Sequence, residues 1–167
     1  MMADSLSITH PGGELHLSNL GQLELLRGMV ERGRPLRTTV RGFSMSPFIR
    51  DDDVLTIVPV NSRAPRVGEV VAFTMPASGR LTIHRILARA GTGWLVRGDN
   101  CLETDGVVAR ENIIGRVVRV ERQGRQVRLG VGAEARLIAW LQRAHVLTWA
   151  VQVVGWVKRR GIAKGGQ

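Results

Sequence analysis

Seven residues, RGFSMSP at 41–47, are the stretch from which the rest of the chain is best interpreted, because a serine stands there between a glycine and a proline. Glycine adopts backbone conformations that other residues avoid, whereas proline fixes φ and keeps the residue before it extended. A stiff turn of this kind at a strand end can present a hydroxyl in the open, so Ser44 is a candidate nucleophile. The alternative is an ordinary surface turn that leads into a strand.

Short runs rich in β-branched residues flank this turn and are separated by turn residues. The predicted strands are 36–40, 54–59, 69–74, 81–89, 94–97, 113–122 and 126–131. Strands at this spacing, without helices between them, favour a mainly β fold with an antiparallel, partly closed, barrel-like sheet. The chain is therefore divided into an N-terminal segment at 1–35, a β-rich domain at 36–131 and a C-terminal segment at 132–167.

Helices are predicted only towards the two ends of the chain. Apolar residues recur on one face between 18 and 31, which indicates a short packing helix that Gly33 ends. The stretch 137–157 is mostly apolar, and its polar residues, Gln142 among them, fall on one side at helical spacing. We expect an amphipathic helix at a membrane surface, with the basic residues 158–160 on anionic lipid. The alternatives are a helix packed on the sheet or on a second copy, and a single transmembrane span.

Composition narrows the possible partners. The 24 Lys and Arg against 14 Asp and Glu give a net charge of +10, which suits an anionic partner. No basic run is interleaved with aromatic rings, so nucleic-acid binding has only charge in its favour. A single cysteine, Cys101, excludes an internal disulfide and fits a reducing compartment. With no signal peptide at the N-terminus, we expect a cytoplasmic protein that is peripheral to the membrane.

A serine nucleophile needs a positioned base, and His84 is the best candidate among the four histidines. It lies inside the predicted strand 81–89, where alternation puts it on the face opposite Arg85. Asp99 or Asp105, in the loop that follows, could supply the carboxylate that orients the imidazole. The alternatives are a hydrogen-bonded strand histidine and an ordinary acidic turn. No metal or cofactor is expected, because Cys101 and the histidines lack ligand spacing.

Four blocks in this order resemble the type I signal peptidases and the related LexA-like peptidases. They are GFSMSP at 42–47, GEVVAF at 68–73, IHRI at 83–86, and a longer block from GDN at 98–100 to IGRV at 114–117. The resemblance implies Ser44 as the nucleophile and its backbone N–H as the oxyanion donor. It also implies His84 as the general base, as in the Ser-His branch of the signal peptidases, and Asp105 as the carboxylate that orients it. Asp99 and Arg85 are secondary candidates.

The resemblance implies a serine endopeptidase that removes a leader or signal segment from a peptide or protein substrate through an acyl-enzyme. Several features depart from the signal peptidases. Gly42 stands where some members have a second oxyanion donor, Phe48-Ile49 replaces the usual Thr-Leu after the proline, and Asp52-Asp53 replaces the Gly-Asp pair that follows. The sequence also gives no reason to expect their N-terminal membrane anchor. Two other functions stay open, a LexA-like self-cleaving regulator and an inactive relative that binds a peptide or a membrane.

Overall fold

The computed structural model describes residues 6–10, 13–15, 21, 24, 28, 32–60, 63–76 and 78–144. Ten strands and a C-terminal helix are formed by these residues. The strands are β1 (Leu6–His10), β2 (Gly13–Leu15), β3 (Leu36–Val40), β4 (Val54–Pro59), β5 (Val70–Thr74), β6 (Leu81–Ala90), β7 (Gly93–Arg97), β8 (Gly106–Val108), β9 (Ile113–Arg122) and β10 (Arg125–Val127). A 3₁₀ turn, Arg110–Asn112, precedes β9, and helix α1 spans Ala135–Arg143.

All ten strands belong to one antiparallel sheet, which confirms the predicted mainly β fold. The strand order is β2-β1-β3-β4-β9-β5-β6-β7-β8, and β10 also pairs with β9. The ten-residue strand β9 is central, since it pairs with β4 along one edge and with β5 and β10 along the other. Within the described ranges no pairing joins β2 to β8, so hydrogen bonds do not close the sheet into a barrel.

The predicted strand bounds are correct for three of the seven predicted strands. Strands β3, β4 and β9 have the predicted bounds. The predicted strand 126–131 is wrong beyond Val127, because the chain then leaves the sheet and turns at Gly130, whose φ is +108°. Short β8 has no counterpart among the predicted strands. The predicted helix at 18–31 is helical at Gly21, Glu24 and Gly28, and its other residues up to 31 lie outside the described part of the chain.

Alternate residues of each central strand point into two different apolar clusters. Val70 and Ala72 of β5 belong to a first core with Leu36, Leu55, Ile57, Ile83 and Val117, among others. Val71 and Phe73 belong to a second core with Ile86, Trp94, Val96 and Val108, among others. Complete burial of each large side chain stabilises the fold by about 1.5–3 kcal/mol. Because Val71 is paired with His84 and Val70 with Arg85, these two neighbours in β6 face opposite sides of the sheet.

Helix α1 packs against β6 with one face and exposes the other. Its buried residues are Ala135, Ile138, Ala139 and Gln142, whereas Leu137 and Trp140 are 58% and 63% exposed. Gln142 belongs to the polar side of the predicted amphipathic helix, but it is fully buried against the sheet. The prediction of a helix whose polar side faces water is therefore wrong at this residue. This first part of the predicted helix follows the alternative hypothesis of packing on the sheet, and residues 145–157 lie outside the described part. No described helix is long and apolar enough to cross a membrane.

Candidate active site

The turn that carries Ser44 lies between β3 and β4 and is anchored at both ends. Gly42 has a φ of +107°, which favours glycine, and its N–H donates to Asp51 Oδ1 at 2.8 Å. On the other side, Met45 and Ile49 are buried in the first core, and the Ile49 N–H donates to the Met45 carbonyl at 3.1 Å. Ser44 is consequently held half-buried at the surface of the sheet.

His84 is buried in β6, with only 6% of its surface exposed, and its ring contacts a carboxylate. The distance from His84 Nδ1 to Asp105 Oδ2 is 2.6 Å. Asp105 is fixed just before β8 by its N–H, which donates to the Val96 carbonyl at 2.9 Å. When Asp105 is ionised and the ring is neutral, the carboxylate can only accept, which puts the proton on Nδ1 and the lone pair on Nε2. Among the described residues, Nε2 has no hydrogen-bond partner although it is buried.

Gly98 lies where the Ser44 turn meets the His84 ring. A Cβ atom placed on Gly98 would be 2.8 Å from the Ser44 carbonyl oxygen, 2.9 Å from His84 Nε2 and 2.6 Å from Cys101 Sγ. The Ser44 carbonyl, the His84 ring and the Cys101 sulfur all lie within 3 Å of this one position, so they are close to one another. The next residues tie the turn down, since the Asn100 N–H donates to the Ser44 carbonyl at 2.7 Å. The absence of a side chain at Gly98 thus lets the serine turn and the imidazole approach each other.

Arg85 and Asp99, the two secondary candidates, lie on the other face of β6 and form a buried ion pair. Both side chains are fully buried. Arg85 Nε donates to Asp99 Oδ1 at 2.8 Å and Nη2 donates to Oδ2 at 2.6 Å, while Nη1 donates to the Gly68 and Gly130 carbonyls. Asp99 is therefore engaged away from the imidazole. Of the two candidate carboxylates, only Asp105 contacts His84.

Gln142 contacts this ion pair and Arg97 contacts Gln142, and neither residue was predicted from the sequence to belong to the site. The Gln142 amide of α1 donates to Asp99 Oδ1, and the Gln142 carbonyl accepts from Arg97 Nη2 at 2.7 Å. Burial lowers the pKa of Arg97, against the opposing effect of the Asp99 charge. Gly98 was expected to form a turn. In the structure its importance to the site lies in its close packing against Ser44, His84 and Cys101. No local sequence signal marks any of these contacts, because each partner is distant in the chain.

The arrangement contains the parts of a serine hydrolase site. Nucleophilic acyl transfer requires a hydroxyl nucleophile, an imidazole whose nitrogen is available to accept the proton, and a carboxylate that orients the imidazole. The structure brings together the regions that carry Ser44, His84 and Asp105. In the described residues, no group of three or more His, Cys, Asp and Glu side chains could hold a metal ion.

Comparison with known families agrees with this class of site. The family described as Peptidase S24-like matches residues 7–118, which is more than half of the chain and includes Ser44, His84 and Asp105. The chain belongs to this peptidase family. Membership implies a hydrolase of the serine peptidase type or a self-cleaving protein of the LexA-like fold. A search of curated proteins finds no significant match to this chain.

Proposed function

We propose that the protein is a Ser-His-Asp endopeptidase that removes a leader or signal segment from a peptide or protein precursor. The observation that carries the proposal is the 2.6 Å contact between His84 Nδ1 and Asp105, with the opposite ring nitrogen beside the backbone of Ser44. A buried imidazole held in this way is oriented as a base towards the serine turn.

In the proposed mechanism, His84 Nε2 takes the proton from Ser44 Oγ as Oγ attacks the scissile carbonyl carbon. The Ser44 backbone N–H donates to the resulting oxyanion. The C–N bond then breaks, His84 protonates the departing amine, and an acyl ester remains on Ser44. Water, deprotonated by His84, hydrolyses the ester and restores the serine. Asp105 stays ionised throughout and stabilises the imidazolium that forms in each half of the reaction.

The surface around the site suits an apolar peptide. Phe43, next to the nucleophile, is 60% exposed, and Leu102 and Val107, on either side of Asp105 in sequence, are 64% and 53% exposed. Exposed apolar side chains mark a binding surface when they form a contiguous patch. A leader or signal segment is rich in apolar residues and would cover these side chains. We therefore include removal of such a segment in the proposed function.

The direct test is to incubate the protein with a mixed peptide library and to read new peptide termini by mass spectrometry. We expect cuts after small residues with the wild type and none with Ser44→Ala or His84→Ala. Ser46→Ala, a second serine in the same turn, is the matched control and should cut normally. Cuts that persist in Ser44→Ala would contradict the proposal. A fall in the protein's own intact mass without library cuts would favour self-cleavage, the alternative that the family also supports.

Gly98→Ala is expected to lower kcat about 100-fold. The added methyl group would lie under 3 Å from the serine turn, the imidazole and the cysteine sulfur, so the catalytic groups must move apart. A displacement of about 1 Å is enough to reduce a rate by about two orders of magnitude. Steady-state kinetics on a peptide from the library would measure the loss. The control is Gly124→Ala, where a Cβ meets open space; its φ of +75° disfavours alanine, so this variant should lose some stability but keep wild-type kcat. Equal kcat in Gly98→Ala, Gly124→Ala and the wild type would refute the close approach of Ser44 and His84.

We also propose that the C-terminal segment binds an anionic membrane surface. Leu137 and Trp140 are exposed on α1, the sequence stays largely apolar to residue 157, and three basic residues follow at 158–160. Leu137→Ser is expected to weaken binding to vesicles that contain phosphatidylglycerol about tenfold, because one buried leucine contributes about 1.5–3 kcal/mol. Vesicle co-sedimentation measures this. Leu129→Ser, at a leucine of similar exposure outside α1, should bind like the wild type, and an equal loss in both variants would count against the proposal.

A further inference from the structure

Helix α1 contacts the catalytic region from the side opposite to the imidazole, and Gln142 makes hydrogen bonds there. Gln142 is fully buried and forms two hydrogen bonds to the segment 97–100, which connects β7 to the acidic loop. Its side-chain amide donates to Asp99 Oδ1 and its backbone carbonyl accepts from Arg97 Nη2 at 2.7 Å. The helix therefore holds both residues that flank Gly98.

The same four-residue segment holds the catalytic groups on its other side. Gly98 packs against the Ser44 carbonyl and His84 Nε2, and the Asn100 N–H donates to the Ser44 carbonyl. Asp99 in turn binds Arg85, the residue next to His84 in β6. Because Gly98 and Asn100 pack tightly against the backbone of Ser44, a shift of this segment would also move the serine turn. The position of α1 and the geometry of the catalytic pair are consequently linked.

Two buried polar atoms where α1 meets the sheet lack hydrogen-bond partners among the described residues. Within the described part of the chain, Arg97 Nε and Gln142 Oε1 are buried without hydrogen-bond partners, a donor and an acceptor in the same network. Unpaired buried polar atoms destabilise the arrangement that contains them. The helix contact is therefore weaker than a fully paired one would be.

We propose that Gln142 is a positioning residue of the peptidase site and that binding of α1 to the segment 97–100 is required for activity. The proposal rests on the proposed peptidase function. Gln142 touches neither substrate nor reacting atoms. It fixes the Asp99 carboxylate and the Arg97 side chain, and through them the Gly98 backbone against which Ser44 and His84 lie. When α1 leaves this position, the nucleophile and the base lose their alignment although all three catalytic side chains remain.

The test compares Gln142→Met, which keeps the volume but removes the amide, with Arg143→Met at the exposed neighbouring position. Gln142→Met is expected to lower kcat about 10- to 100-fold with KM changed less than twofold, and Arg143→Met should match the wild type. An equal loss in both variants, or wild-type kcat in Gln142→Met, would overturn the proposal. An independent readout is the NMR signal of the His84 ring, which should shift in Gln142→Met alone. Because this signal needs no turnover, it separates failure of the positioning role from failure of the peptidase function.

Gln142→Glu supplies a signature that general destabilisation does not produce. The charged groups around this position are Asp99, Arg85 and Arg97. An ionised glutamate would repel Asp99, whereas a protonated one would donate to Asp99 Oδ1 as the amide does. Burial and the neighbouring Asp99 charge should raise the pKa of this glutamate above its ordinary value, so the ratio of variant to wild-type kcat should rise as the pH falls from 8 to about 5. The ratio also removes the common effect of protonating His84. A ratio that stays constant across this range would refute the assigned role.

Discussion

Asp105→Asn is expected to lower kcat about 10⁴-fold while leaving the fold and the free energy of unfolding nearly unchanged. In the wild type, the carboxylate accepts the Nδ1 proton of His84 at 2.6 Å, which leaves the lone pair on Nε2. An asparagine amide can donate to Nδ1 instead and move the ring proton to Nε2. In that tautomer the nitrogen beside Ser44 can no longer accept the serine proton, so the base is lost although every atom of the ring stays in place.

Steady-state kinetics on a peptide identified with the library would measure the effect, and the ¹⁵N shifts of the His84 ring would report the tautomer. Glu103→Gln is the matched control, because it removes the same charge from an exposed position in the same loop. We expect the control to keep wild-type kcat. If Asp105→Asn keeps more than about a tenth of the activity, Ser44 and His84 act as a pair without Asp105 and the carboxylate is structural.

Asp99→Ala is expected to lower the free energy of unfolding by about 3–5 kcal/mol, because it leaves the Arg85 cation buried without its partner. Arg85 and Asp99 are both fully buried and share two hydrogen bonds of 2.8 and 2.6 Å. A domain of this size is stable by about 5–15 kcal/mol, so the loss is a large part of the total. The midpoint of thermal unfolding should fall by about 6–20 °C.

Chemical and thermal unfolding followed by circular dichroism would measure this destabilisation. The exposed Glu111→Ala is the control and should change the stability by less than about 0.5 kcal/mol. The double variant Arg85→Met with Asp99→Leu removes both charges and should regain much of the lost stability. A double variant as unstable as Asp99→Ala would mean that the packing around Asp99, rather than the unpaired charge, causes the loss.

Periodicity and local motifs account for the parts of this structure that were predicted well. The strand 81–89 alternates strictly enough to put His84 and Arg85 on opposite faces, and their separate contacts with Asp105 and Asp99 follow from that alternation. The serine turn was identified from glycine and proline, whose effects on the backbone are local. Strands β3, β4 and β9 were located because each is a short run rich in β-branched residues between turn residues.

The remaining features depend on contacts between distant residues, which a local pattern does not contain. Asp99 and Asp105 are both acidic residues of one loop, and only the three-dimensional path of that loop decides which of them meets the imidazole. Gln142 resembles a water-facing residue at helical spacing, but its partner Asp99 lies 43 positions earlier in the chain. Strand β8 has three residues, too few for a periodic signal, and is formed by pairing with β7.

The late position of Gln142 has a consequence for biosynthesis. A ribosome completes Ser44, His84 and Asp105 before it reaches α1, so a nascent chain for a time carries every reacting group without the helix that aligns them. If binding of α1 is required for activity, as we propose, the growing polypeptide is inactive until the helix has been made. During that time its own unfolded segments, and those of neighbouring chains, are most open to cleavage. Translation order would then protect newly made protein from itself.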